Sequence, residues 1–235
     1  MIDRTAAREA GIAVALATIT GYVDAIGYTR LFEVFPANQT GNVVFFGVAI
    51  GDGEAGQAWR PGLAMLAFLV GVMVGMVLAH RIAPRTRMSL LLAIETALLA
   101  LVAALAGDVQ GRTAPFGGGR EVVMLAAAAV AMGIQTDVIR RAAQVGVWTT
   151  FTTGAMVQFT DELTEAVVHG RVPNPRGRRT LVVVGAVVGM YIGGAAIGTA
   201  IVDEWGAALW LAVVATAALA VWLAIRPPAN VAPIE

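Results

Sequence analysis

The sequence predicts an all-α integral membrane protein of about six transmembrane helices plus two short broken or re-entrant segments, arranged as an inverted repeat of two halves. Three observations carry this. The 235 residues are 58% hydrophobic and 14% charged, with mean hydropathy +0.76, whereas a soluble domain carries about 25% charged residues. Several windows approach or exceed the roughly 20 apolar residues that span a bilayer. Landmarks in the first half also recur in order in the second, at nearly constant spacing. The chain 1–235 is read as a single integral membrane domain, with repeat halves of about 5–108 and 118–227.

The first element is the apolar stretch 7–28. Arg4 and Arg8 precede it in the manner of a signal sequence, but the run continues to Tyr28 and holds Thr20 and Asp24, so it is read as an uncleaved membrane helix. Further long windows lie at 61–80, 88–106, 121–139, 179–202 and 206–225. Two shorter ones remain, 40–51 and 153–168, the second containing Gln158, Asp161, Glu162 and Glu165. Apolar stretches of roughly 10–14 residues suit re-entrant segments or half-helices.

Arginine placement supports that count. "HRIAPRTR" (80–87) and "HGRVPNPRGRR" (169–179) read as cytoplasmic, while "GDGEAGQAW" (51–59) and "VDEW" (202–205) are acidic and read as outside. Eight crossings would put the two basic loops on opposite faces. Six crossings put them on one face, with both termini cytoplasmic and Arg112 and Arg120 left outside. The localisation expected is a bacterial inner (cytoplasmic) membrane, multi-pass, with the lipid bilayer as constant partner.

The repeat rests on "GYVDAIGY" from Gly21 against "GIQTDVIRR" from Gly133, "QTG" (39–41) against "TTG" (152–154), and "VGVMVGM" (70–76) against "VGAVVGM" (184–190). The offsets are 112, 113 and 114 residues, the slow drift left by a duplication with single insertions. Three crossings per half turn the second copy upside down.

The "GYVDAIGY" opening, "TGN" before an apolar segment, a G-x-x-x-G helix and "GIQ…TTFTTG" resemble the YoaK-type family of bacterial integral membrane proteins, which carry a domain of unknown function. The resemblance covers essentially the whole chain and implies about six spans with no established activity. This chain departs from the pattern with Thr20 in place of Ser and with Ala155 after its second TG.

Net charge is zero, which removes any global field toward nucleic acid. No cysteine is present, so thiolate metal sites and cysteine nucleophiles are excluded. The two histidines, His80 and His169, sit beside basic loops and make no metal set. "GGG" at 117–119 lacks the following Lys and Thr of a phosphate loop. No Ser–His–Asp set is found, so neither an enzyme nor a cofactor is expected.

The polar stretch "FPANQTGN" (35–42) is the leading candidate site. Pro36 and Gly41 break helix, while Asn38, Thr40 and Asn42 can cap a helix start. Residues 43–50 would then form a half-helix whose N-terminus, with free N–H groups and partial positive charge, lies inside the membrane. "TTFTTGAMVQF" (149–159) would supply an opposing half-helix. Broken segments at corresponding places in inverted repeats mark a midplane site. The substrate-binding candidates are Asp24, Asn38, Gln39, Thr40, Gly41, Asn42, Gln135, Thr153, Gly154 and Gln158. Asp24 and Glu95, carboxylates within apolar spans, are candidates for proton coupling. Thr40, Asn42 and Arg140 are the partners considered for Asp24.

Gly71/Gly75 and Gly185/Gly189/Gly193 present small-residue faces for close packing within the bundle or in a homo-oligomer. The reading is a small-solute transporter or channel with its pathway between the two TG segments. The alternative is a non-transporting scaffold or partner subunit using the Gly faces.

Overall fold

The computed structural model describes residues 4–54, 56–106, 118–142, 152–168, 175–201 and 205–227. Among the described residues eight α-helices follow one another and there is no strand: α1 Arg4–Ile26, α2 Gln39–Gly51, α3 Trp59–Arg81, α4 Pro84–Ala106, α5 Gly119–Ala142, α6 Thr152–Val168, α7 Pro175–Ala200 and α8 Trp205–Ile225. Six are long and apolar enough to cross a bilayer, and α2 is the shorter apolar helix. Helical termini reach further than the apolar windows, as with α4, which begins at Pro84, because a proline suits a first helical position. Arg112 lies outside the described residues, and Arg120 sits in the first turn of α5.

Contacts between ends fix how the helices run. Arg8 near the start of α1 donates to the Pro227 carbonyl at 3.1 Å and lies over the Trp222 ring at 4.7 Å. At the other end, Arg60 of α3 reaches Glu33 beyond α1 at 3.3 Å and Glu121 of α5 at 2.7 Å, and Arg120 donates to the Leu105 carbonyl of α4. Along α1 and α7, Ala13 and Ala17 pack with Val183, Val184 and Val187, while Gly198 approaches Tyr22. These two helices therefore run the same way. Thus the basic turn at 80–87 and the arginines that open α7 share one end of the bundle, as six crossings require and eight would not.

The second element does not cross. A π-helical turn, Gly27–Phe32, extends α1, and Glu33 stops it in the left-handed region at φ 58°. Asp24 lies nine residues back, roughly 13 Å down the helix axis at ~1.5 Å per residue. The chain bends back over 34–37, and Ala37 bonds Asp24. α2 then runs back over its 13 residues, ~20 Å, toward the end where α3 begins. Near-parallel rings of Tyr28, Phe35 and Phe45, with centroids 4.9–5.9 Å apart, hold this re-entrant piece together. α6 lies along α7, and the segment leading into it is outside the described residues.

The core joins faces of α1, α3, α4, α5 and α8, where Leu16, Leu91, Leu92, Leu99, Met124, Leu125, Met132 and Ile134 are fully buried. Leu66, Leu69, Met73, Val77, Val182 and Ile192 point outward, as expected where lipid replaces water. Gly71 and Gly133 bring α3 and α5 together so closely that a Cβ on either would strike the other helix's backbone. Gly21 and Gly194 do the same for α1 and α7. Gly189 and Gly193 meet nothing within 4 Å. The two "VGxxVGM" stretches therefore make unlike contacts, and their pairing at an offset of 114 does not describe the packing.

Candidate functional site

The break after α1 is a closed hydrogen-bond network. Asp24, 2% exposed, accepts from the Ala37 N–H through Oδ1 at 2.7 Å and from the Tyr191 hydroxyl through Oδ2 at 2.7 Å. The Asn38 N–H bonds the same carboxyl. Arg140, expected as a partner, instead reaches Asp137 at 3.1 Å on its own helix, and neither Thr40 nor Asn42 is used. Backbone N–H groups left bare by Pro36 must be satisfied in a medium without water, and Asp24 is the side chain that meets that need.

Asn42 is fully buried and clasps Phe35 from both sides. Its Oδ1 accepts from the Phe35 N–H at 2.9 Å, and its Nδ2 donates to the Phe35 carbonyl at 2.6 Å and to Gln39 Oε1 at 3.0 Å. Asn38 caps α2, accepting from the Gly41 N–H at 3.4 Å, and Gln39 donates to the Pro36 carbonyl at 3.0 Å. Thr40 is exposed on the first turn. Gly41 is held against the Phe35 ring.

One turn back on the same face of α1, a second group joins three helices. Thr20 lies 2.6 Å from Gln135 Oε1 and also 2.8 Å from the Leu16 carbonyl, so its single proton serves one or the other. Gln135 Nε2 donates to Glu95 Oε1 at 2.9 Å. Glu95 has no exposed surface, and its Oε2 has no hydrogen-bond partner among the described residues. A carboxylate inside a membrane bundle costs at least ~2.5–3.5 kcal/mol by insertion scales. The free oxygen can take a proton, a cation or a donor from a solute.

Of the predicted residues, Asp24, Asn38, Gln39, Gly41 and Asn42 come together in the re-entrant network, and Gln135 and Glu95 come together across α4 and α5. Gly154 is exposed in the first turn of α6, and the side chains of Thr153 and Gln158 lie outside the described residues. The half-helices pack apart, α2 on α3 and α6 on α7. Sequence reading did not single out Tyr191 or Thr20 as site residues. Tyr191 carried no local signal, because its hydroxyl meets a residue 167 positions away. Thr20 could have been found from its i,i+4 spacing to Asp24.

A cleft of about 510 Å³ opens beside the re-entrant piece, lined by Glu33, Phe45, Val48, Gln57, Trp59 and Arg60 among others. At its edge Arg60 joins the exposed Glu33 to Glu121, which is 1% exposed.

Six apolar spans, one of them followed by a re-entrant half-helix, and a polar centre between helices define a multi-pass membrane protein. The family model described as "Protein of unknown function (DUF1275)" matches residues 12–222, and the chain belongs to that family. It is similar to the "UPF0700 transmembrane protein YoaK" of Bacillus subtilis (strain 168), with 27% identity over 151 residues, 63% of this chain and 64% of that protein. The chain thus spans just under two thirds of the length of this curated relative. No solved structure matches.

Proposed function

We propose that this protein is a small-solute membrane transporter rather than an enzyme, in a cytoplasmic membrane with both termini inside. One observation carries the reading: a buried polar chain, Thr20–Gln135–Glu95, ends on a carboxyl oxygen with no partner among the described residues. Purely structural polar groups in membranes are satisfied. An unsatisfied one between three helices is suited to a group that gains and loses a proton, cation or solute contact during transport. Asp24, by contrast, has its acceptors occupied by the re-entrant segment and by Tyr191 of α7, and acts as a support for that segment. A homo-oligomer through Gly189 and Gly193 remains compatible with this reading, while Gly71 and Gly75 are used within the bundle.

The test is proteoliposomes loaded with a pH-sensitive dye and challenged with a panel of small amines, amino acids, sugars and organic acids. At least one class should move protons in wild type and not in Glu95→Gln. If the Gln variant matches wild type for every solute that moves, Glu95 has no coupling role. If none moves under either pH gradient, the transporter reading is lost.

A further inference from the structure

The close glycine contacts of one half recur in the other. Gly21 meets Tyr191, and Gly133, 112 residues on from Gly21, meets Phe68, 123 residues back from Tyr191. The same two shifts carry Gly194 against Thr18 into Gly71 against Val130, and Gly198 against Tyr22 into Gly75 against Ile134. In the short helices, Gly62 faces Phe46 (3.2 Å from an added Cβ), and Gly185 faces Phe159 (3.6 Å), shifts of 123 and 113. Four contacts recur under one assignment: α1 to α5, α2 to α6 and α3 to α7. The last helices, α4 and α8, pack on each other. The correct register pairs "FLVGVMVG" (68–75) with "YIGGAAIG" (191–198). It also makes each first helix pack on the other half's third.

The pairing weakens at the last helix of each half: among the described residues α3 contacts α4, while α7 makes no comparable contact with α8. By the same assignment, α4 on α5 corresponds to α8 on α1. The first seam is long and closed, with Glu95 bonded to Gln135 across it. The second is sparser: it is joined at Arg8, which meets Pro227 and Trp222, and at Tyr22, which donates to the Ala208 carbonyl. Between these points it holds an apolar cleft of about 180 Å³, lined by Thr18, Ile19, Leu211 and Ala215 with Gly194 and Ile197 of α7. A two-fold arrangement with one seam tightly packed and its mate sparse is suited to a second state in which the roles are exchanged.

We propose that the chain is an inverted duplication and that these two seams exchange: α8 closes on α1 as α4 leaves α5, and the Glu95–Gln135 hydrogen bond is broken in that step. This deepens the transport reading, on which its purpose rests, by naming the moving contacts. It also gives Glu95 its free oxygen a use, since the carboxyl is held on one side only and is released when the seam opens.

The natural absence of cysteine makes the test direct. Asp52→Cys and Glu165→Cys, equivalent positions of the two halves, should react with an impermeant maleimide from opposite faces of oriented vesicles. Ile19→Cys with Ala215→Cys, facing across the open cleft, should form a disulfide under mild oxidation. Adding Glu95→Leu, which keeps an apolar side chain there but removes the bond to Gln135, should speed that disulfide several-fold. Glu95→Gln, which keeps an oxygen for the Gln135 amide, should leave the 19/215 rate at the wild-type value, and a cooperative thermal unfolding transition of each variant reports correct folding. Labelling of positions 52 and 165 from one face overturns the inversion. A disulfide rate at 19/215 indifferent to Glu95→Leu, in a variant that still unfolds cooperatively, overturns the exchange. No solute enters these readouts, so a chain that exchanges its seams yet moves nothing in proteoliposomes would refute transport and leave this inference standing.

Discussion

Asp24 Oδ1 and the Ala37 N–H, thirteen residues apart, meet at 2.7 Å inside the bundle. That bond sets the depth of the re-entrant turn, because it ties the foot of the extended segment to a fixed level on α1. Its partner on the other oxygen, the Tyr191 hydroxyl, ties the same point to α7. Asp24→Ala leaves the Ala37 and Asn38 N–H groups and the Tyr191 hydroxyl without their acceptor, at about 1–3 kcal/mol each. Tyr191→Phe removes one donor and leaves the carboxyl bonded to backbone, for a loss of about 1 kcal/mol. Thermal unfolding in detergent should rank the variants wild type, Tyr191→Phe, Asp24→Ala. The double variant should cost less than the sum of the two. Strict additivity would mean the two oxygens act independently and the three-way tie is not one unit.

Asn42 makes a sharper demand on side-chain chemistry. It uses its oxygen as an acceptor and its amide nitrogen as a donor to the same residue, Phe35. Asn42→Asp keeps the shape, loses both donated bonds and points negative charge at a carbonyl, so it should cost at least about 2–3 kcal/mol, more than Asn42→Ser. Limited proteolysis near 33–38 should follow the same order. Equal protection in Asn42→Asp and wild type would show that the clasp does not hold the turn.

Much of this was legible before any coordinates. The six spans follow from apolar length, and the break follows from Pro36 and Gly41. The cap at Asn38 follows from the free amides that any helix start presents. What could not be read was which buried groups would meet. Tyr191, Gln135 and Glu95 sit on separate helices, and their pairing depends on crossing points set by glycines. Gly21, Gly71, Gly133 and Gly194 look no different in sequence from Gly189 and Gly193, which pack on nothing. Glycine-rich motifs align with one another at several registers, and that is why 70–76 matched 184–190 when the contact partner of Gly71 is equivalent to that of Gly194.

Those glycines give a direct comparison. Gly21→Ala and Gly133→Ala each drive a methyl into opposing backbone, and overpacking of this kind costs about 1–3 kcal/mol. Gly189→Ala has open space and should be neutral or up to about 1 kcal/mol more stable, from the gain in helix propensity. Melting temperatures should separate the two classes in opposite directions. A destabilised Gly189→Ala in membranes, but not in monomeric detergent preparations, would instead reveal a subunit contact on that face of α7.

Arg60 tests which of its two carboxylates matters. Glu121 is 1% exposed and lies 2.7 Å away, whereas the Glu33 side chain is 84% exposed at 3.3 Å. Arg60→Ala strands Glu121 without its cation, for a loss of roughly 2–4 kcal/mol, less than a fully buried pair because Arg60 keeps 30% of its side-chain surface in contact with the outside. Glu33→Ala should change stability by no more than about 0.5 kcal/mol. Glu121→Gln in the Arg60→Ala background should recover most of the loss, since it removes the stranded charge. Failure of that rescue would mean that Arg60 acts through the packing of its aliphatic stem.

Glu95 separates structural from functional use of one side chain. Glu95→Gln is nearly isosteric and keeps an oxygen for the Gln135 amide, so the bond across α4 and α5 survives. It also removes any cost of an unpaired buried charge, and variants of that kind are often neutral or about 1–4 kcal/mol more stable. Glu95→Ala instead leaves the Gln135 amide without its acceptor and opens a void, at a cost of about 2–4 kcal/mol. A transporter that uses the free oxygen should therefore lose solute-linked proton movement in Glu95→Gln while its melting temperature holds or rises. A structural carboxyl should show the reverse, with flux unchanged in Glu95→Gln and both stability and flux reduced in Glu95→Ala. Glu95→Asp adds the deciding control, because it keeps an ionisable group but shortens its reach by one methylene. Partial flux with an altered pH profile in the Asp variant fits a group that exchanges protons. A wild-type profile with lower stability fits a group that only packs.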